Sequence, residues 1–153
     1  MSLTTAFRDA RDRLTSLALS TGYFEATAQH EPKNAPGRGL TLFVWLARVT
    51  PIQSSGLNST SVRMDINVQL RCSMTREPQD DIDVDLLEAG DAMCAAINGD
   101  LRLGGSIRSV DVFGQHGVGM DALTGYIDQD GHKFRVLDIT VPCLVNDAWT
   151  QAQ

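Results

Sequence analysis

Asp81, Asp83 and Asp85 stand two residues apart, the spacing of the first three ligands of a calcium loop. The place reserved for Gly in such a loop holds Leu86, and the closing Glu is replaced by Ala92. A solvated acidic helix face is the expectation there. Gly114-x-x-Gly117-x-Gly119 has glycines in the manner of a dinucleotide loop, but the residues after it continue as a strand where a nucleotide loop would open a helix. It reads as a mobile connection. Pro32 follows His30-Glu31 and breaks the helix that a zinc-binding HExxH needs. Ser106 lies outside any GxSxG pattern, and nothing in the sequence brings His116 to Cys72 or Cys94. Cys72, Cys94 and Cys143 have no CxxC or zinc spacing and fall in apolar periods, so three reduced core cysteines are expected. No catalytic residue, cofactor or metal is assigned, and the chain is not expected to be an enzyme. The one enzymatic or small-ligand alternative uses the 114–119 loop.

The elements around these residues follow from periodicity. Residues 3–21 repeat apolar side chains every three or four positions (Leu3, Phe7, Ala10, Leu14, Leu17, Ala18), an amphipathic helix that Gly22 stops. Residues 23–28 fit a short strand. Residues 40–51 are apolar on both faces, which predicts a central strand covered twice and ended by Pro51. Between Val62 and Thr75 apolar and polar residues alternate strictly: a long strand with one face in the core and a polar second face, meant for solvent or a neighbouring subunit. Residues 80–97 form a second helix with the stripe Ile82, Leu86, Ala89, Met93 and Ile97, capped by Asp80 or Asp81 and stopped at Asn98-Gly99. Residues 106–113 are read as a strand. Residues 120–128 and 133–145 form a hairpin about Asp130-Gly131. Helix, strands, helix, strands is the order of an α+β fold: a mainly antiparallel β-sheet with two amphipathic helices packed on it, in one domain over residues 1–153.

The chain has 153 residues, 13 basic and 19 acidic, for a net charge of −6. Seven of the acids lie between residues 77 and 91, where there is no base, so the rest is nearly neutral. The bases are scattered, which argues against gripping nucleic acid. No apolar run reaches the ~20 residues of a membrane span, and the first 13 residues have no apolar core, so neither a membrane anchor nor a secretory leader is expected.

A series of segments in fixed order resembles the tail terminator (tail completion) proteins of long-tailed phages, in particular those of actinobacteria. They are Phe7-Arg8; His30-Glu31-Pro32 with Ala35-Pro36; residues 42–45; Glu77-Pro78-Gln79-Asp80 with Ile82-Asp83; Gly99-Asp100 with Leu103-Gly104-Gly105 and Arg108; Gly125-Tyr126; Asp130-Gly131 with Phe134-Arg135-Val136; and Val141-Pro142 with Val145-Asn146-Asp147 and Trp149. The resemblance covers nearly the whole chain. It implies a subunit similar to the lambda tail terminator: a homo-hexameric ring that ends tail-tube growth and meets the head-tail connector. Its partners would be the tail tube protein and that connector, another neck component being the alternative. Genomic DNA would pass through without specific binding. Its place would be the neck of the virion, after assembly in the host cytoplasm. Two sets of residues are expected to serve such a ring. Gln53, Ser54, Ser55, Leu57 and Asn58, in the loop between the two long strands, would order against a partner. Asp81, Asp85 and Glu88 would line the DNA channel, where like charge keeps the duplex from sticking.

Overall fold

The computed structural model describes residues 2–29, 39–52, 58–75 and 78–150. Helix α1 (Leu3–Thr21) ends where the sequence ends it: Gly22 adopts φ 76 and donates its N–H to the Leu19 carbonyl. A left-handed residue there favours glycine. Strands β1 (Ala26–Ala28), β2 (Thr41–Ile52) and β3 (Ser59–Ser73) follow, then a 3-10 turn (Gln79–Asp81) leading into α2 (Ile82–Asn98). A second 3-10 turn (Leu103–Gly105), β4 (Ser109–Val110), β5 (Asp121–Gln129) and β6 (His132–Thr150) complete the chain. The architecture is α+β, two helices on a six-stranded sheet that is antiparallel except for the β1–β2 pair. The strand order is β1-β2-β3-β6-β4, with β5 also beside β6. Asp130 (φ 53) and Gly131 (φ 77) make the tight turn of the β5–β6 hairpin.

The core lies between the helices and one sheet face. Ala6, Ala10, Leu14 and Ala18 of α1 and Ile82, Leu86, Ala89, Met93 and Ile97 of α2 are buried against Leu42, Val44, Met64, Ile66, Val68, Leu70, Ile139 and Val141. The small side chains of α1 let that helix approach closely. All five stripe residues expected for α2 are buried. Asp81 stands at the helix N-cap but makes no capping hydrogen bond, so its contribution is the attraction of a carboxylate to the helix dipole.

Three expectations are corrected. β2 is not a doubly covered central strand. Its outer neighbour β1 reaches only residues 41–43, and burial stops at Val44, leaving Leu46 and Val49 exposed. A bulge accounts for the misleading pattern: Leu46 pairs Ile66 and Arg48 pairs Asp65, so Ala47 is the extra residue. Beyond it the alternation changes phase, and Val49 joins the face of Leu42 and Val44. Residues 106–113 do not form one strand; only Ser109 and Val110 pair with β6. The bonds Val112 N–H to Val110 O (3.0 Å) and Gly114 N–H to Asp111 O (3.3 Å) turn the chain off the ladder. Third, the polar face of β3 is covered by the protein itself at several positions: Arg63, Gln69, Arg71 and Ser73 are buried.

Candidate functional site

On the far face of the sheet, β3 carries a row of paired polar side chains. Arg63 is at its centre. Its Nε donates to Asp65 Oδ1 at 2.8 Å, Nη1 donates to the His116 carbonyl at 3.2 Å, and Nη2 donates to the Val118 carbonyl. Asp111 Oδ2 lies 3.6 Å from Nη1, and both side chains are almost wholly buried. The Asp111 carboxylate also accepts the backbone N–H groups of Gln115 and His116. Further along the strand, Arg71 donates to Gln69 and Gln129, lies over the Phe43 ring, and Gln69 donates to Asp138. Buried ions persist only when paired and hydrogen-bonded, a condition this arrangement meets.

The consequence for the 114–119 loop is direct. It is held by Arg63 and Asp111, which overturns its reading as a mobile connection. A Cβ on Gly114 would lie 2.5 Å from the Gly117 carbonyl oxygen, and one on Gly117 would run into the Arg63 guanidinium. The glycines let the backbone close on itself and on an arginine, so the space a phosphate would need is filled. A hollow of about 360 Å³ remains beside it, lined by Arg48, Arg63, Asp65, His116 and Asp121. The Arg63 nitrogens there already donate to protein acceptors, so Arg63 is not available to an anion.

Past the three residues that β1 pairs, β2 is an open edge of the sheet on which Leu46 (41% exposed) and Val49 (38%) stand beside the buried Ile66 and Met64; Trp149 (43%) is exposed near the end of β6. There β6 is tied to β3 by Ser59 Oγ donating to Asp147 Oδ1 at 2.6 Å and by the Asp147 N–H donating to Ser61 Oγ, with Asp147 at φ 52. Among the expected interface residues, Asn58 is exposed at the start of β3, whereas Gln53, Ser54, Ser55 and Leu57 lie outside the described residues. Asp81 and Glu88 are exposed on α2 and Asp85 is half-buried. Glu88 accepts the Tyr23 hydroxyl at 3.0 Å, and this bond, with the charges of Glu88 and Asp91, holds the Tyr23 pKa above its ordinary value. The described members of the two expected sets lie on different elements, Asn58 at the start of β3 and Asp81, Asp85 and Glu88 at the second helix.

Among the described residues, no three His, Cys, Asp or Glu side chains gather as a metal site. Cys72 and Cys143 are buried free thiols, and burial pushes the Cys143 pKa far up. Cys94 is half-buried, its pKa raised by desolvation and by Asp91. Sequence reasoning missed the Arg63–Asp111 cluster because strict alternation marks a polar face without saying what covers it. The available signal was an arginine in mid-strand and three closely spaced glycines. It also missed Phe113, which is 92% exposed, by placing it inside a strand.

No family model matches the chain, and no curated protein matches it. Among solved structures it is similar to a chain from the virion of a native gene transfer agent particle, with a TM-score of 0.41 and 13% identity over 89% of this chain and 90% of that one. A likeness of that depth carries no argument about function.

Proposed function

We propose that the chain is a structural subunit of a long-tailed phage virion, a tail terminator that caps the tail tube as a six-fold ring, ends its growth and presents a surface to the head-tail connector. The ordered series of segments from Phe7-Arg8 to Trp149 motivates this reading. The observation that carries it is the open edge of β2 past Phe43, whose exposed Leu46 and Val49 give a subunit side chains to bury against neighbours. Leu46 and Val49 fall on one face of that edge, and neighbouring apolar side chains left exposed at an unpaired sheet edge mark protein contacts. A ring of one subunit type needs a heterologous contact that closes.

Electron microscopy of particles made with and without the protein tests the reading. Its loss should leave tails of uncontrolled length that fail to join heads, and a six-fold density should appear at the tube end when it is present. Normal tails joined to heads in its absence would overturn the assignment.

A further inference from the structure

A closed ring needs two different patches on each copy that fit one another. Two exposed patches near opposite ends of α2 have that relation. The first is a stripe on the N-terminal half of the helix. Val84 (59% exposed) and Leu87 (67%) alternate there with Glu88 and Asp91 at helical spacing; Tyr23, just past the end of α1, adjoins it through the Tyr23–Glu88 hydrogen bond, and Leu19 (61%) is exposed on the last turn of α1. Residues 77–98 contain no Lys or Arg. The second patch follows the C-terminus of α2, ~20 Å along the helix. Arg102 and Arg108 are exposed there. Arg108 donates to Asn146 Oδ1 at 3.2 Å and lines, with Leu101 and Phe113, a hollow of about 220 Å³. The acids nearest in sequence are occupied, Asp100 by Arg13 and the Gly104 N–H and Asp111 by Arg63 and the Gln115 and His116 N–H groups.

Phe113 is the informative residue. A fully displayed aromatic side chain is ordinarily costly to leave in water, and here its backbone is fixed. The flanking bonds Asp111 N–H to Pro142 O (2.8 Å) and Met120 N–H to Val112 O (3.0 Å) hold the segment to the sheet. An aromatic on an anchored backbone, beside an arginine, is the composition of an interface anchor, because little backbone entropy is lost on docking. The helix stripe has the complementary make-up, apolar side chains set among carboxylates. A wall along which DNA slides needs the carboxylates but has no use for exposed Val84 and Leu87, so the stripe fits a protein partner better than a channel.

We propose that Phe113, Arg102 and Arg108 of one copy dock on the Leu19, Tyr23, Val84 and Leu87 stripe of the next, with the arginines meeting Glu88 and Asp91. The contact rests on the ring reading for its closure. It is head-to-tail, so repetition of one contact generates the whole assembly.

Charge reversal gives a test with an internal rescue. In E88K/D91K both patches are basic, and in R102E/R108E both are acidic. Each variant, checked for folding by circular dichroism, should self-associate on the order of tenfold to a hundredfold more weakly than the wild type in sedimentation or native mass measurements. Mixing the two should restore association, because an alternating ring again brings opposite charges together at every contact. Leu123→Ser, on the exposed face of the β5 hairpin, should change nothing. If the wild type is monomeric in solution, incorporation of the same variants and of the fourfold variant into particles is the readout. Wild-type association or incorporation by both reversed variants overturns the contact, as does failure of the mixture and of the fourfold variant to recover. Loss at the helix stripe alone, with R102E/R108E unaffected, also overturns it and assigns the stripe to a tube or connector protein. A six-fold ring in particles that ignores these reversals keeps the ring reading and removes the contact. Rescue in solution with no protein at the tube end does the opposite.

Discussion

Both faces of β3 carry buried side chains, and they are buried by different physics. Toward the helices, Met64, Ile66, Val68 and Leu70 pack into an apolar layer, where stability follows the area removed from water and depends little on direction. On the far face Arg63, Gln69 and Arg71 are equally inaccessible, but each is held by named donors and acceptors. The first face tolerates exchange of similar shapes. The second requires every partner, because one missing acceptor leaves a charge stranded in low dielectric. A strand can thus be central and doubly covered while its sequence still alternates strictly.

That contrast can be broken by mutation. Arg63→Ala removes the counter-charge from buried Asp111 and the donor from the 116–118 backbone, and should cost about 3–5 kcal/mol in denaturant unfolding. A loss under ~1 kcal/mol would show the far face to be mere decoration. Replacing both partners, as R63M/D111N, should recover part of the loss, since the more deeply buried carboxylate is removed and only the more accessible Asp65 is left without its arginine. Leu70→Ala probes the other face and should cost about 2–5 kcal/mol through lost burial and a cavity, with no rescue from any polar partner. Gly117→Ala sharpens the comparison at the loop. It forces a side chain toward Arg63 at φ 137, and a destabilisation of about 1–3 kcal/mol is expected, together with faster amide exchange at residues 115–118.

The smallest effect concerns an ion pair at the periphery. The Gly104 N–H, and then Arg13, hold the Asp100 carboxyl below the ordinary carboxylate range. A depressed folded-state pKa gives stability that is present above the unfolded-state value and is lost as pH falls through the folded one. Asp100→Asn should therefore lower stability by less than ~1 kcal/mol at neutral pH and should match the wild type once the pH is below the carboxylate range.

Most of the fold was legible because its signals are local. The α1 period, the Gly22 stop, the α2 stripe and the Asp130-Gly131 turn each lie within a few residues. What stayed hidden depends on distant partners or on a single phase change. The bulge at Ala47 transfers Val49 to the other face, so the simple count along residues 40–51 shows two apolar faces where one was shifted midway. The covering of Arg63 comes from residues more than fifty positions away. For the candidate site, the acidic positions on α2 could be placed on a helix from sequence, but the exposed Val84, Leu87 and Phe113 are apolar residues that periodicity assigns to no particular surface.

The β3–β6 ladder also sets the order in which the chain can fold. It joins residues 59–73 to residues 134–150, so the central pairing closes a loop containing the whole of α2. Such non-local pairing is slow, because chain entropy is lost before the contacts form. The β5–β6 hairpin needs only its two-residue turn, and hairpins close in ~1–10 μs. Residues 132–140 of β6 can therefore be paired on one edge by β5 before β3 reaches the other, which leaves an open edge containing Val136 and Ile139 available for pairing with the wrong molecule during synthesis.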